Sequence, residues 1–149
     1  MADETHGEIE INADAAKVMD VIADLAVYNE WADGVNSIEV LTETDNGRPD
    51  TALFDFASGP IKDKFTLQYD WSHEESEGFV TWEISEPGQV LTQEEGKYTV
   101  VDLEDGKSRV LYDLMVDVSI PLPGMLKRKA EKKMVETALK GLKKRVESL

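Results

Sequence analysis

The chain has 149 residues, 41% of them hydrophobic, with no cysteine and a net charge of −15 at neutral pH. That length suits one domain, residues 1–149, able to bury roughly 68–70% of its extended surface. The missing cysteines exclude disulfides, thiolate nucleophiles and Cys-ligated metals and fit a reducing cytoplasm, while the acidity argues against general nucleic-acid binding. No run approaches the ~20 apolar residues of a membrane span. The opening MADETHGEIEI has neither the basic nor the apolar region of a secretory signal, so none is expected.

Residues 7–13 (GEIEINA) alternate polar and apolar, the mark of a short strand. Asp14 then precedes AAKVMDVIADL, where Val18, Val21, Ile22 and Leu25 recur at helical spacing; Asp14 reads as the N-cap. VYNEWADG (27–34) predicts a second short helix or turn that ends at Gly34. Strand-like runs follow at 35–42, 51–57, 61–71, 79–85, 90–103 and 108–120. Turn residues divide them: Asp45-Asn46-Gly47, Ser58-Gly59-Pro60, Glu77-Gly78, Pro87-Gly88 and Glu104-Asp105-Gly106. Such short connections predict an antiparallel meander.

The last segment differs in charge. Residues 1–120 carry 7 Lys/Arg against 28 Asp/Glu, whereas residues 121–149 carry 9 against 3. Pro121 and Pro123 cannot continue a strand ladder, and Pro123 suits the start of a helix of about 25 residues. On that helix Ala130, Met134, Val135, Ala138, Leu139, Leu142, Val146 and Leu149 share one broad arc. Lys129, Lys132, Lys133, Lys140, Lys143 and Lys144 fill the other. A lone helix with so wide an apolar face must be covered, and only the sheet is large enough. The expected class is α+β: a curved antiparallel seven-stranded sheet wrapped round the final helix, with two short helices after the first strand. A curved sheet cannot touch a straight helix everywhere, so a hollow is expected between them.

Alternation selects the residues that face it. They are Ala52, Phe54 and Phe56; Ile61, Phe65, Leu67, Tyr69 and Trp71; Val80, Trp82 and Ile84; Tyr98 and Val100; and Val110, Tyr112, Leu114, Val116 and Val118. Eight of the eleven aromatic residues fall in this set. The predicted ligand-binding residues are Phe54, Phe56, Phe65, Leu67, Tyr69, Trp71, Trp82, Tyr98, Tyr112 and Leu114, with Met134 and Ala138 of the helix opposite. They compose a mostly apolar wall with a few tyrosine hydroxyls as polar handles. The competing reading of each is ordinary core.

The order of elements resembles the START-like (SRPBCC) superfamily, whose helix-grip fold wraps an antiparallel sheet round a long C-terminal helix. VYNEWADGVNSIEVL (27–41) is similar to that superfamily's turn and second strand. DNGRPDTALFDF (45–56), IKDKFTLQYDW (61–71) and IPLPGMLKRKAEKKMVETALKGLKKRV (120–146) resemble its actinobacterial branch of polyketide cyclase/dehydrase or lipid-transport-like proteins. The resemblance spans roughly residues 7–147 and implies an apolar ligand between sheet and helix. It does not choose among the superfamily's carriers, receptors and cyclases.

Little in the chain suggests catalysis. His6, in an N-terminus expected to fray, and His73, in the SHEESEG loop, both read as solvated, so no metal site and no cofactor are expected. No phosphate-cradling glycine motif occurs, and the DNG and EDG turns make no calcium loop. Three carboxylates fall in phase with the inward face: Asp63, Glu94 and Glu131. In an apolar hollow any of them would have a raised pKa and could move protons; the bland reading puts each on a solvated rim. Asp63, Tyr69 and Glu131 are the catalytic candidates, Asp63 the first to mutate.

The leading expectation is therefore a cofactor-free protein that binds a lipid, isoprenoid or polyketide-like molecule. The first alternative is a polyketide cyclase or dehydratase using the same hollow, and the second a partner-binding regulatory protein. The basic helix face is read as a solvent side offsetting the acidic sheet; membrane contact through it stays an open but less favoured alternative. A monomer or weak dimer is expected.

Overall fold

A computed structural model of the chain describes residues 4–32, 34–58 and 61–149. The Gly59-Pro60 turn and the side chain of Ile61 lie outside the described residues. Among those described, seven strands form one antiparallel sheet: β1 (Glu4–Ile11), β2 (Val35–Glu43), β3 (Pro49–Ser58), β4 (Ile61–Asp70), β5 (Phe79–Glu86), β6 (Leu91–Asp102) and β7 (Ser108–Val118). Their order is β1-β7-β6-β5-β4-β3-β2, so β2 to β7 make a meander and β1 pairs with the last strand. Helix α1 (Ala15–Ala23) and a 3-10 turn (Leu25–Glu30) carry the chain from one sheet edge to the other.

Local chemistry explains these boundaries. The Asp14 carboxylate accepts from the Lys17 N–H at 2.8 Å, capping α1 as expected, and Val18, Met19, Val21 and Ile22 bury its inner face. The buried Tyr28 hydroxyl donates to the Ile22 carbonyl and ties the 3-10 turn back to α1. In the β6–β7 connection Glu104, Asp105 and Gly106 all adopt positive φ, the conformation that makes so tight a hairpin. Register shifts interrupt the β2–β3, β4–β5 and β6–β7 ladders. Bulges of this kind bend strands and increase twist, which curls the sheet.

Helix α3 (Gly124–Glu147) lies in the resulting cup and buries Val135, Leu139, Leu142 and Val146. It packs closest on β1, where Gly7 has no side chain; a Cβ there would sit 2.5 Å from Val135 Cγ1. This is the helix-grip α+β architecture. The basic arc of α3 faces outward, with Lys129, Lys132, Lys133, Lys140 and Lys144 exposed. At its margins it is tied to the acidic strands: Lys143 Nζ donates to the Glu10 carbonyl at 2.9 Å, and Lys127 pairs with Asp117 at 3.0 Å.

Three local expectations need correction. Leu149 is 62% exposed rather than part of the apolar arc, because α3 ends at Glu147. His6 does not lie in a frayed terminus: β1 begins at Glu4, and its pairing with β7 sets the imidazole between Asp113 and Glu8. Within SHEESEG, Glu74–Glu77 forms a one-turn helix, α2, and the His73 ring stacks on Phe79.

Candidate functional site

Strand register brings the aromatic residues into one layer. Phe54 pairs with Phe65, Tyr69 with Trp82, Trp82 with Gly96, and Tyr98 with Tyr112. The rings then pack across the inner face. Phe54 and Phe65 stack at 5.7 Å, and Tyr98 lies 4.5 Å from Tyr112. Trp82 stands at the centre, 5.2 Å from Tyr98 and 5.8 Å from both Tyr69 and Tyr112.

Gly96 is the reason Trp82 can lie there. A Cβ at that position would come within 2.2 Å of the indole, so only glycine lets the ring lie flat across β6. From this position the Trp82 N–H reaches two residues along the strand and donates to Glu94 Oε2 at 3.0 Å.

A hollow of about 90 Å³ remains between this layer and α3. Its sheet wall holds Phe54, Phe56, Phe65, Leu67, Tyr69, Trp82, Tyr98, Tyr112 and Leu114; Met134 and Ala138 close it from the helix, and Tyr28, Trp31, Ala32 and Val35 from the 3-10 turn and its exit. Glu94 supplies a carboxyl group to the lining. The volume accommodates several waters or one small group, against roughly 300–1,000 Å³ for ordinary ligand pockets. The hollow is narrow, because bulky rings take up most of the space the curvature opens.

The electrostatics follow from burial. Desolvation pushes the Glu94 carboxyl up to about 7 despite the opposing hydrogen bond from Trp82. Burial likewise raises the Tyr69, Tyr98 and Tyr112 hydroxyls, so all three are neutral donors at physiological pH. Among the described residues these three hydroxyls make no hydrogen bond, and the buried Trp31 N–H has no acceptor. Among the described residues the lining therefore offers neutral donors and one carboxyl group, and no Lys, Arg or His.

Eleven of the twelve predicted ligand-binding residues border this hollow. Trp71 does not: β4 ends at Asp70, alternation lapses, and its indole N–H turns to the Pro49 carbonyl at 2.6 Å beneath the Arg48 guanidinium. Asp63 also lies away from it. Its carboxylate accepts from the N–H groups of Gln89, Val90 and Leu91 at 2.7–3.0 Å; desolvation is the largest single effect on it and acts to raise its pKa, but the backbone hydrogen bonds together outweigh it and hold the pKa below the usual carboxylate value. That geometry makes Asp63 a clamp on the β5–β6 connection rather than an acid or base in the hollow. Glu131 is 1% exposed but outside the lining, with Lys127 Nζ 4.0 Å from its Oε1. Of the three carboxylates in phase with the inward face, only Glu94 lines the hollow. Among the described residues no group of three or more His, Asp or Glu side chains could hold a metal ion, and no helix is long and apolar enough to cross a membrane.

A family profile described as "Polyketide cyclase / dehydrase and lipid transport" matches residues 11–143. Among solved structures, a START superfamily protein from Mycobacterium smegmatis is similar over 97% of both chains, with 22% identity and a TM-score of 0.87. The Zhui aromatase/cyclase from a Streptomyces species is similar over 99% of this chain and 94% of its own, with 11% identity and a TM-score of 0.84. A protein from Thermus thermophilus is similar over 98% of each chain, with 23% identity and a TM-score of 0.83. No curated protein matches in sequence. At such identities the structural likeness establishes the fold alone.

Proposed function

The chain belongs to the polyketide cyclase / dehydrase and lipid transport family, and from that premise we propose that it binds a hydrophobic small molecule, such as a lipid, isoprenoid or polyketide, between the sheet and α3. The observation that carries this reading is the aromatic lining itself: a mostly apolar wall in which the Tyr69, Tyr98 and Tyr112 hydroxyls and the Trp31 N–H have no hydrogen-bonding partner among the described residues. In a well-satisfied core such groups find protein partners, whereas in a binding site they await the ligand. A guest larger than the present 90 Å³ enters by displacing the partly exposed wall members Trp31, Val35, Phe56 and Met134. Met134, unbranched and flexible, is the easiest to repack.

Native mass spectrometry of the protein as purified, compared with the same protein after solvent extraction, tests this. The expected result is an extractable apolar adduct whose recovery falls in Met134→Trp, where the indole fills the hollow. An adduct-free mass from several expression hosts, together with no uptake of added fatty acid or polyketide mimic, overturns it.

One observation favours catalysis as a second reading. A carboxyl group with a pKa of about 7 beside neutral tyrosines can both give and take a proton at neutral pH, and an enclosed wall can hold a linear substrate folded. On this reading Glu94, not Asp63, moves the proton, and Tyr69 donates to a substrate carbonyl. Turnover of a linear polyketide mimic, lost in Glu94→Gln and kept in Asp63→Asn, supports it; equal turnover in wild type and Glu94→Gln removes it.

A further inference from the structure

Resting on the reading of the hollow as the ligand site, the geometry points to the chemical class of the guest: an apolar molecule ending in a small organic cation, an alkylammonium set against Glu94 and the faces of Tyr69, Trp82, Tyr98 and Tyr112. The charge of the lining is unbalanced. Among the described residues Glu94 is its only carboxyl group, no Lys, Arg or His lines it, and the hydrogen bond on the carboxyl comes from the neutral Trp82 indole. Glu94 is half-buried and holds its proton up to about pH 7; its ionised form, out of water, would ordinarily be paired with a cation, and among the described lining residues no Lys, Arg or His supplies one. An alkylammonium guest brings that counter-charge with it.

The ring arrangement suits the same guest. Four electron-rich aromatic side chains from β4, β5, β6 and β7 lie 4.5–5.8 Å from their neighbours, tilted by 37–58° rather than stacked flat. All four rings border the same hollow, and π faces attract alkylammonium groups most strongly where water is excluded. The volume of about 90 Å³ is the size of a head group, not of a whole lipid or polyketide. The apolar body of the ligand would then extend along Phe54, Phe65 and Leu114, towards the more exposed Phe56 and Met134.

Benzyltrimethylammonium and its uncharged carbon isostere neopentylbenzene separate charge from shape, and benzyl alcohol adds a neutral hydrogen-bond donor. Each is titrated into the full chain while the chemical shifts of the tryptophan indole N–H groups are followed. The expected result is that the cation binds roughly tenfold or more tightly than either neutral probe and that this preference disappears in Glu94→Gln. Equal binding of cation and isostere to the wild-type protein, or tighter binding of benzyl alcohol, overturns the inference while leaving apolar binding intact. Binding of none of the three sinks the inference and the proposed function together. The wild-type comparison needs no variant, so a misfolded Glu94→Gln does not spare the inference.

Discussion

Replacing Glu94 with glutamine tests the dryness of the hollow through the pH dependence of folding. Burial raises the carboxyl from its ordinary 4.5 to about 7. In the unfolded chain the group loses its proton near the ordinary value, while in the folded protein it keeps the proton until about pH 7. The stability tied to this group is therefore fully present below about pH 4.5 and is lost as the pH rises through about 7. At about 1.36 kcal/mol per pH unit, the difference is worth roughly 3 kcal/mol, most of it lost between about pH 5 and about pH 8. Glutamine cannot ionise, so the variant escapes this loss. His6, Asp63, Asp70 and Glu147, whose pKa values also shift on folding, are common to both proteins and cancel in the difference. The assay is urea unfolding of both ligand-free proteins at several pH values, followed by tryptophan fluorescence. The variant should gain on the wild type by roughly 2–3 kcal/mol between about pH 5 and about pH 8. A difference that stays flat, or one that moves the other way, refutes the reasoning, because Glu94 would then be ionised in the folded protein and the hollow wet.

Four further outcomes follow from the packing. Asp63→Ala leaves three N–H groups of the β5–β6 connection without their acceptor and should cost roughly 2–3 kcal/mol in chemical unfolding while leaving ligand affinity unchanged. Because folding lowers the Asp63 pKa, the wild-type advantage over this variant should be present above about pH 4 and fade as the pH falls through the folded value. Gly96→Val drives a side chain into the Trp82 ring and should cost roughly 1–3 kcal/mol with a shift in tryptophan emission; an unchanged spectrum would show that the indole does not lie over β6. Leu142→Ala, at a fully buried position on α3, should lower stability by about 2–5 kcal/mol by calorimetry, and a loss under about 1 kcal/mol would mean that the helix is not seated in the sheet.

Much of this architecture is legible because its signals are local. Asp14 announces α1, the prolines before Gly124 separate β7 from α3, and strict alternation through Phe65-Thr66-Leu67-Gln68-Tyr69 names the wall of the hollow. Alternation fails where strands end. Trp71 lies one residue beyond β4 and turns to Pro49, and Asp63, although in phase with Phe65, lies near the start of β4, where its carboxylate reaches the loop before β6. Tyr28 and Trp31 escape notice because a 3-10 turn has neither period, although their segment carries the family resemblance. Alternation does put Glu94 in phase with the inward face, but in a chain with 31 Asp and Glu residues it does not rank Glu94 above Asp63 or Glu131. The useful clue is Gly96 inside a strand, which marks where a large ring crosses the backbone and so which carboxylate that ring can reach. How much room the rings leave depends on their packing angles, and these no linear pattern records.

The proposed function depends on a guest lodging between the aromatic layer and α3. Intermolecular nuclear Overhauser effects from a neutral aromatic probe, 2-naphthol, to methyl-labelled protein measure this directly. The expected contacts are with the Leu67, Leu114 and Met134 methyl groups and the Trp82 indole, all in the lining. Contacts confined to the exposed Leu41, Val101, Met125 and Leu126 would place the probe on the outer surface and contradict that function.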